Sequence, residues 1–520
     1  MNRAARWMTA GALLLAVAGP AKADWVSLDG SLDVVATEDA ANPKIDVARQ
    51  SAAEDVPYAV FQELNTSPAV WRGYARVWDN GVWRDVTSTA GPFNMDADIS
   101  ADDPDLAVMN NTGTHYVFVT WSEYSALYSR IFVKMWKNGD ASWSQVPDLP
   151  NVWLNRFDRD AYYPTIALMD SNPPVPFVAW QEIAGMGTNI YVKTFNGTSW
   201  TPLADAVNRT ATSTAKWPRI AIGTDDLPVV TWEETLNGNY DIYVSRWNGS
   251  AWVPLGAGLK DQGPTIKANE PALAIDAANR PWVVFLEGSS TAMEVKVKRF
   301  DGVNWGLAGS AVTTGLEAEW PRLELAQGGE AFVSLVDLST APSQQVRVYQ
   351  LVDQTWTRLG VSTNVNPADN GDRPDVVVKN GQPVCVWSEQ AGNRNVYVKQ
   401  WVPPTPLPTS TPTTTPTPGP VPTSTPPAVA SALSPNTAKA YPIPASSHVT
   451  FAFRADGSSG EAVVRLYNTH YRLITQVQGA AVGGLGEISL EVSDIAPGIY
   501  FYQVVVGDKK LPMGKLVVAR

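Results

Sequence analysis

The 520-residue sequence contains one cysteine, Cys385, and three histidines. A single cysteine excludes an internal disulfide, and the few histidines exclude a metal centre of clustered His and Cys ligands. Lys and Arg number 39 against 51 Asp and Glu, so the formal net charge is −12. Such an acidic chain is poorly suited to nucleic acid or to an anionic membrane surface. Neutral glycans, proteins and divalent cations are compatible with that charge.

Several catalytic signatures are also missing. The sequence has no G-x-S-x-G nucleophile motif and no Gly-rich phosphate loop. A Ser-His-Asp triad outside the C-terminal region would have to use His115, because the other two histidines lie beyond residue 440. We therefore assign no catalytic residues. Glycoside chemistry stays open, since it needs only two suitably spaced carboxylates.

After the first 23 residues the chain has no long hydrophobic run. Arg3 and Arg6 precede an apolar stretch at residues 10–17, and Ala21-Lys22-Ala23 forms a small-x-small cleavage site. The stretch is too short for a stable membrane anchor and is typical of a cleavable signal peptide over residues 1–23. We expect an exported protein, secreted or on the cell surface, without a transmembrane segment.

What the sequence does contain is a long repeat. A proline followed by an alternating apolar run recurs seven times, with steps of 61, 60, 54, 53, 50 and 53 residues. Strand-rich units of this period are typical of β-propeller blades. The seven prolines are Pro43, Pro104, Pro164, Pro218, Pro271, Pro321 and Pro374.

Residues 163–203 show one unit as four short runs of β-branched and aromatic residues. A tryptophan marks the fourth run in six units, and the seventh unit stops after its third run, at Trp401. Asp24-Trp25-Val26-Ser27-Leu28 matches the missing fourth run. We predict an all-β, seven-bladed propeller over residues 24–402, closed by its N-terminal strand, which removes the exposed sheet edges.

The unit resembles secreted bacterial propeller repeats built on a W-x-E second strand and an Asn-Gly-x-x-Trp turn. Trp180-Gln181-Glu182 and Asn196-Gly197-Thr198-Ser199-Trp200 carry that resemblance. After the repeats, residues 403–427 include 11 Pro and 9 Thr. Residues 403–428 are therefore predicted to be an extended linker, because such a composition cannot bury a core.

Residues 429–520 are again rich in short strands, which favours a small immunoglobulin-like sandwich. Tyr441–Ala445, Val464–Tyr467 and Ile495–Tyr500 are similar to the Y-P-N-P-A, V-x-L-Y and L-x-P-G-x-Y motifs of type A sorting domains of the type IX (Por) secretion system. The FlgD-type immunoglobulin-like domain shares this pattern. The resemblance implies a role in secretion or surface attachment, with secretion machinery as a partner.

Each repeat also carries a carboxylate two residues after an aromatic or apolar residue of its second strand. In a propeller these side chains would ring one mouth of the channel, where they could hold a divalent cation, bind a ligand or act as acid and base. Alternatively, each accepts hydrogen bonds from backbone amides or neighbouring Lys and Arg, and the seven-fold repetition favours this interpretation. The residues are Glu63, Glu123, Glu182, Glu234, Glu287, Asp337 and Glu389, of which Glu63, Glu182 and Glu234 are kept as ligand candidates. No other cofactor is expected.

Some aromatic residues are not explained by the repeat, and we place them in loops on one face. Such rings bind sugars or protein surfaces, although Tyr163, Trp217 and Trp320 could instead pack against the following proline and seal adjacent blades. Arg219 and Arg322 follow Trp-Pro pairs at matching positions. The aromatic candidates are Trp71, Trp153, Tyr162, Tyr163, Trp217 and Trp320.

Together these features favour an exported, non-enzymatic protein that recognises a glycan or a surface protein through one loop face. A sialidase-like or other glycoside hydrolase or lyase that uses mouth carboxylates is the first alternative. A structural adhesion or surface-layer element is the second.

Overall fold

The computed structural model describes residues 24–403 and 433–519, apart from short gaps. The predicted signal peptide and nearly all of the predicted linker lie outside the described residues. The chain separates into two compact units, Met1–Thr409 and Ser410–Arg520. The gaps are residues 36, 51–53, 67–68, 89–90, 126, 148–151, 157, 186, 211, 237, 262, 264–265, 290–291, 314–316, 340–342, 443–444, 446, 457–459, 468–472, 493–494, 496–497 and 508.

The described part of the first unit is built from seven four-stranded antiparallel sheets. In six of them the four strands follow one another along the chain, so each sheet is a meander closed by short turns. Strand β1 covers Asp24–Ser31. The six meanders are β2–β5 (Ala40–Ala48, Val56–Thr66, Ala69–Asp79, Val82–Asp85), β6–β9 (Ala101–Asn111, Thr114–Ser125, Tyr128–Lys137, Ser144–Gln145), β10–β13 (Ala161–Met169, Val175–Ala184, Gly187–Phe195, Trp200–Pro202), β14–β17 (Thr214–Ile222, Pro228–Leu236, Asn239–Trp247, Trp252–Pro254), β18–β21 (Lys267–Ile275, Pro281–Ser289, Ala292–Phe300, Trp305–Leu307) and β22–β25 (Ala318–Leu325, Ala331–Asp337, Gln345–Val352, Thr355–Arg358).

The seventh sheet joins the two ends of the unit. Its strands β26 (Asn370–Lys379), β27 (Gln382–Ala391) and β28 (Asn393–Val402) are completed by β1. Trp25 lies opposite Trp401 in the ladder, with ring centroids 5.6 Å apart. The N-terminal strand therefore supplies the fourth strand that the repeat lacks, as the sequence match predicts.

The sheets are arranged in a cycle. Strands β2, β6, β10, β14, β18, β22 and β26 contact one another in that order, and β26 contacts β2. Six fourth-strand tryptophans also donate their indole N–H to a carbonyl of the preceding sheet or of the segment just after it, at 2.7–3.0 Å. These donor and acceptor pairs are Trp25–Leu359, Trp83–Leu28, Trp200–Val146, Trp252–Leu203, Trp305–Leu255 and Trp356–Ala308.

Hydrophobic clusters fill the space between neighbouring sheets. One cluster, for example, packs Phe118 and Val133 of β7 and β8 against Ile166 and Trp180 of β10 and β11. Each such side chain contributes roughly 1.5–3 kcal/mol when it is removed from water. Cys385 is completely buried in another of these clusters, so it belongs to the core.

The described part of the second unit has two antiparallel sheets that share one core. Phe451, Phe453, Val464 and Tyr502 lie in that core. Among the residues that the structure describes, no helix has the length and hydrophobicity needed to span a bilayer. The three-stranded sheet contains β29 (Thr437–Tyr441), β30 (His448–Arg454) and β33 (Leu485–Glu491), and the five-stranded sheet contains β31 (Gly460–Tyr467), β32 (Leu473–Ala481), β34 (Gly498–Val506), β35 (Lys509–Lys510) and β36 (Gly514–Val518).

Removing the indole of the N-terminal strand should loosen the first unit. Trp25 is 6% exposed and donates to the Leu359 carbonyl, so Trp25→Ala should cost about 3–5 kcal/mol of unfolding free energy. Calorimetry of the full chain would show the loss as a lower transition temperature. Val26→Ala is the control, because Val26 is 50% exposed beside it. Equal, small effects of both changes would contradict a closing role for β1.

Candidate functional site

Each first strand contains one extra residue next to its proline. The pairing with the second strand shifts register there in all seven sheets, in the first sheet between Ala41 and Lys44. A β-bulge of this kind accepts proline, because the bulged position needs no ladder N–H. The residue before each proline has a positive φ of 47–52°. These residues are Asn42, Asp103, Tyr163, Trp217, Glu270, Trp320 and Arg373.

The residues that flank the prolines line one pocket, which we call the central pocket. Its volume is about 50 Å³, and all seven first strands contribute to it. That is room for a few water molecules or for one group of similar size. Besides Pro104, Pro164 and Pro271, the side chains that line it are Asn42, Lys44, Asp103, Asp105, Tyr163, Trp217, Arg219, Glu270, Trp320, Arg322 and Arg373.

Three half-buried aromatic rings belong to this lining. Tyr163 and Trp217 meet edge to face, with centroids 6.5 Å apart. The guanidinium of Arg373 lies 4.5 Å above the ring of Trp320. The Trp320 backbone N–H donates to Glu270 at 2.7 Å, which fixes the strand that carries this ring.

Four cationic groups line the pocket, and only Arg373 forms an ion pair, with Asp103 at 3.7 Å, among the described residues. Arg219 and Arg322 each donate one N–H to the carbonyl of the proline that precedes them, at 2.9 Å. Lys44 likewise donates to its preceding proline, at 3.3 Å. The Nε of Arg322 is buried and has no hydrogen-bond partner in the described part of the chain.

Burial sets the charge state of the pocket. Burial, together with the neighbouring guanidinium of Arg322, lowers the pKa of Lys44 to about 7. Burial also lowers the pKa of Arg322 to about 10 and raises the pKa of Asp103, Asp105 and Glu270. Both signs of charge are therefore held in a poorly solvated space.

The second-strand carboxylates lie elsewhere. Glu63 accepts the backbone N–H groups of Val34 and Val35 at 2.6 and 3.1 Å. Glu234 accepts those of Arg209 and Thr210 at 3.0 and 3.2 Å.

Each carboxylate thus anchors the segment that leads into its own sheet. Glu182 does the same, since it accepts the Arg156 backbone N–H at 3.2 Å and the Trp180 indole N–H at 3.1 Å. Glu63, Glu182 and Glu234 are at most 3% exposed and are not in the lining of the central pocket. Their contacts match the hydrogen-bonding interpretation, and ligand contact through them stays a prediction.

Of the remaining candidates, Tyr163, Trp217, Trp320, Arg219 and Arg322 meet in the central pocket. The expectation that the aromatic ones lie in loops is wrong for all but one. Tyr163, Trp217 and Trp320 lie in first strands, because each bulge absorbs the proline and lets the ladder begin ahead of it.

Three aromatic candidates lie outside the pocket lining. Trp71 is in β4 and pairs with Leu64, so it too belongs to a strand. Tyr162 is in β10, one residue before Tyr163. Trp153 does lie between strands, where the guanidinium of Arg130 stacks 4.7 Å from its ring.

Sequence reasoning did not count six residues of the pocket among the site candidates, although it noted that one of them, Arg373, precedes Pro374. They are spread over more than 300 positions and share no residue type, so composition and spacing did not group them. The signal was present, because each of them directly precedes or follows one of the seven landmark prolines. The six are Asn42, Lys44, Asp103, Asp105, Glu270 and Arg373.

Within the described ranges, no three His, Cys, Asp or Glu side chains group together in a way that could hold a metal ion. A divalent cation at the channel mouth stays a prediction.

Comparison with known proteins assigns the second unit. Residues 439–519 match the secretion system C-terminal sorting domain. This part of the chain is a sorting domain. The protein is therefore secreted or displayed on the cell surface through the type IX system, and its sorting domain implies an interaction with that machinery.

No curated protein matches the chain. Similar solved structures include a protein of unknown function from Dyadobacter fermentans, with 12% identity and a TM-score of 0.40 over 58% of this chain and 94% of that one. An ulvan lyase of polysaccharide lyase family 25 has 10% identity and a TM-score of 0.48 over 72% and 95%. The Aleuria aurantia lectin has 14% identity and a TM-score of 0.39 over 64% and 98%. Likenesses of this size establish neither the fold nor the activity of this chain.

Buried carboxyl groups around the first unit predict an unusual dependence of stability on pH. Burial raises the pKa of Asp33 and Asp46 to about 6 and that of Glu233 and Glu324 to about 7. The folded state therefore binds more protons than the unfolded state between these values and the ordinary ones. The contribution of these groups to the free energy of unfolding must fall as the pH rises through that window.

Glu233→Gln tests this dependence, because Glu233 is 3% exposed and one of its oxygens lacks a described hydrogen-bond partner. The change should raise the unfolding free energy at pH 8 by about 1–3 kcal/mol and flatten its decline between about pH 5 and 8. Thermal melts across this range measure both effects. The exposed Glu317→Gln should behave like wild type, and an unchanged pH dependence in Glu233→Gln would refute the assignment.

Proposed function

We propose that this protein is a secreted or cell-surface binding protein that recognises a glycan at the central pocket. The supporting observation is the meeting of three aromatic rings and four cationic groups, supplied by different sheets, at one small opening. Its function requires no catalytic residues and no cofactor in this proposal.

We also propose the finer architecture behind this site. The seven sheets would be the blades of a closed seven-bladed β-propeller over residues 24–402, and residues 429–520 would form an immunoglobulin-like sandwich. The cyclic contacts of the first strands and the indole hydrogen bonds between sheets support the ring. A cleavable signal peptide over residues 1–23 and a Pro/Thr-rich spacer over residues 403–428 complete the proposed organisation.

Aromatic rings with a polar surround are well suited to carbohydrate. Tyr163, Trp217 and Trp320 are half-buried and offer flat apolar surfaces beside charged groups. A sugar ring can place its apolar C–H face on such aromatic surfaces while its polar substituents contact the charged groups. The pocket of about 50 Å³ is much smaller than the ~300 Å³ or more of a typical ligand pocket. The sugar ring would therefore lie over the aromatic residues while one substituent enters the pocket.

A glycan array that contains neutral, carboxylated and sulfated glycans tests the proposal with the full chain. A Trp217→Ala, Trp320→Ala double variant should bind at least roughly tenfold more weakly, since loss of an aromatic hot spot costs ~2 kcal/mol or more. Trp71→Ala is the matched control, because Trp71 lies outside the pocket lining. Absence of binding by wild type, or equal losses in both variants, would reject the glycan site and favour a protein ligand.

One observation favours a second candidate, a glycoside hydrolase or lyase. Three carboxyl groups with raised pKa, those of Asp103, Asp105 and Glu270, lie beside Lys44, whose pKa is about 7. Lys44 can exchange a proton near neutral pH, and burial favours the protonated form of the three carboxyl groups.

Incubation with the glycans that bind separates the two candidates. The binding proposal expects no new reducing or unsaturated ends. Products that Glu270→Gln abolishes while binding persists would establish the enzyme instead. Glu317→Gln is the control, because this exposed residue lies outside the pocket lining and its substitution should leave product formation unchanged.

A further inference from the structure

We propose that the central pocket binds an anionic substituent of the ligand, a carboxylate or a sulfate on a sugar ring, through Lys44, Arg219 and Arg322. This inference rests on the glycan-binding function proposed above and names the chemical class of the glycan. The pocket's carboxylates already bind backbone N–H groups or Arg373, whereas three of its cations have no ion pair among the described residues.

The acidic groups of the pocket are already engaged by the fold. Asp103 pairs with Arg373 at 3.7 Å, and Asp105 accepts the backbone N–H of Ile166 at 3.1 Å. Glu270 accepts the backbone N–H of Trp320 at 2.7 Å. These carboxylates hold backbone and side chains in place, which leaves them less available to a ligand.

The three cations are used differently. Lys44, Arg219 and Arg322 come from three separate sheets, and none of them forms an ion pair within the described residues. Each donates to the proline carbonyl just before it, and the guanidinium of Arg322 keeps a buried Nε–H without a partner. The carboxyl groups of Asp105, Glu270 and Asp375 attract these cations through space without an ion pair. An anionic group at the opening would be the first to pair with them directly.

Other cations of the unit show both arrangements. The half-buried Arg49 pairs with Glu324 at 2.6 Å, and the buried Arg347 pairs with Asp337 at 3.4 Å. Lys134, Lys193 and Lys399 have no direct ion pair among the described residues and donate to backbone carbonyls at 2.6–3.1 Å. The central pocket differs in bringing three cations without an ion pair to one opening, where all seven first strands meet.

Size and long-range charge agree with the inference. A pocket of about 50 Å³ admits a single carboxylate or sulfate group, while the aromatic rings contact the sugar that carries it. The chain as a whole has a net charge of −12, which repels polyanions in general. Binding of an anionic glycan would therefore indicate a specific site such as this pocket and not non-specific attraction to a basic surface.

The test uses the full chain and three probes: an oligogalacturonide, a sulfated galactan oligosaccharide and a neutral galactan oligosaccharide. Calorimetric titration of wild type should show at least tenfold tighter binding of one or both anionic probes than of the neutral one. Comparison of the two anionic probes distinguishes carboxylate from sulfate. Arg322→Gln and Lys44→Met should each remove the preference for the anionic probe, whereas Arg358→Gln, an exposed change outside the pocket, should keep it.

Each outcome decides between the proposals. Equal binding of neutral and anionic probes overturns the anion site and leaves the glycan-binding function standing. Binding by no probe here and by no glycan on the array overturns both. An anionic preference that survives both pocket variants overturns the assignment to Lys44 and Arg322.

Two further readouts separate ligand contact from a structural role. Removal of a cation that has no direct ion pair should leave the melting temperature unchanged or raise it, whereas removal of a structural cation would lower it. Anion affinity should also fall as the pH rises above 7, because Lys44 then loses its proton while facing Arg219, Arg322, Asp105 and Asp375. Lys44→Met should lose that part of the pH dependence, and a pH response identical to wild type would count against the site.

Discussion

One extra residue ahead of a proline, repeated in every first strand, determines what the first unit can display at its centre. The bulge places the preceding residue in the left-handed region, which costs of order 1–3 kcal/mol for a residue other than glycine. Tyr163, Trp217 and Trp320 accept this conformation despite their bulk, with φ of 50–52°. Because the ladder continues on both sides of each bulge, the surrounding sheet fixes this conformation. The pocket is therefore preformed on strands and does not depend on flexible loops.

The repeats separate structural from functional positions by how they vary. Second-strand carboxylates are nearly identical from sheet to sheet, and several meet the same partners, a backbone N–H pair and the indole two residues before. The residues that flank the prolines share a backbone conformation but differ in side chain, from Asn42 to Trp217 to Arg373. A constant side chain in a constant environment stabilises the repeat. A varied side chain in a constant backbone gives an asymmetric surface, and recognition needs such asymmetry.

This distinction explains what could be predicted from the sequence. The strands and sheets could be predicted because alternation, turns and the repeat period are local signals. The strand that closes the seventh sheet could be predicted because Trp25 matches the tryptophan of the other fourth strands. The pocket is not local. Lys44, Arg219 and Arg322 become neighbours only through the cyclic order of the sheets. A proline marks each register shift, but the sequence alone does not show that the residues beside the prolines meet in one pocket. The prolines mark both the repeats and the site, because the residues beside them line the pocket.

Stability of an exported chain with one buried cysteine must come from packing and closure. The indole hydrogen bonds between successive sheets and the pairing of β1 with β28 supply long-range cross-links that a disulfide would provide elsewhere. A unit joined in this way can tolerate local costs at its centre: seven left-handed residues, carboxyls with raised pKa and three cations without ion partners. The described fold offsets only part of these costs, through the backbone N–H groups that Asp105 and Glu270 accept and through the attraction of these carboxyls for the cations. Since proteins retain unfavourable local arrangements chiefly where function requires them, the same arrangement that destabilises the free pocket is what would favour an anionic ligand in it.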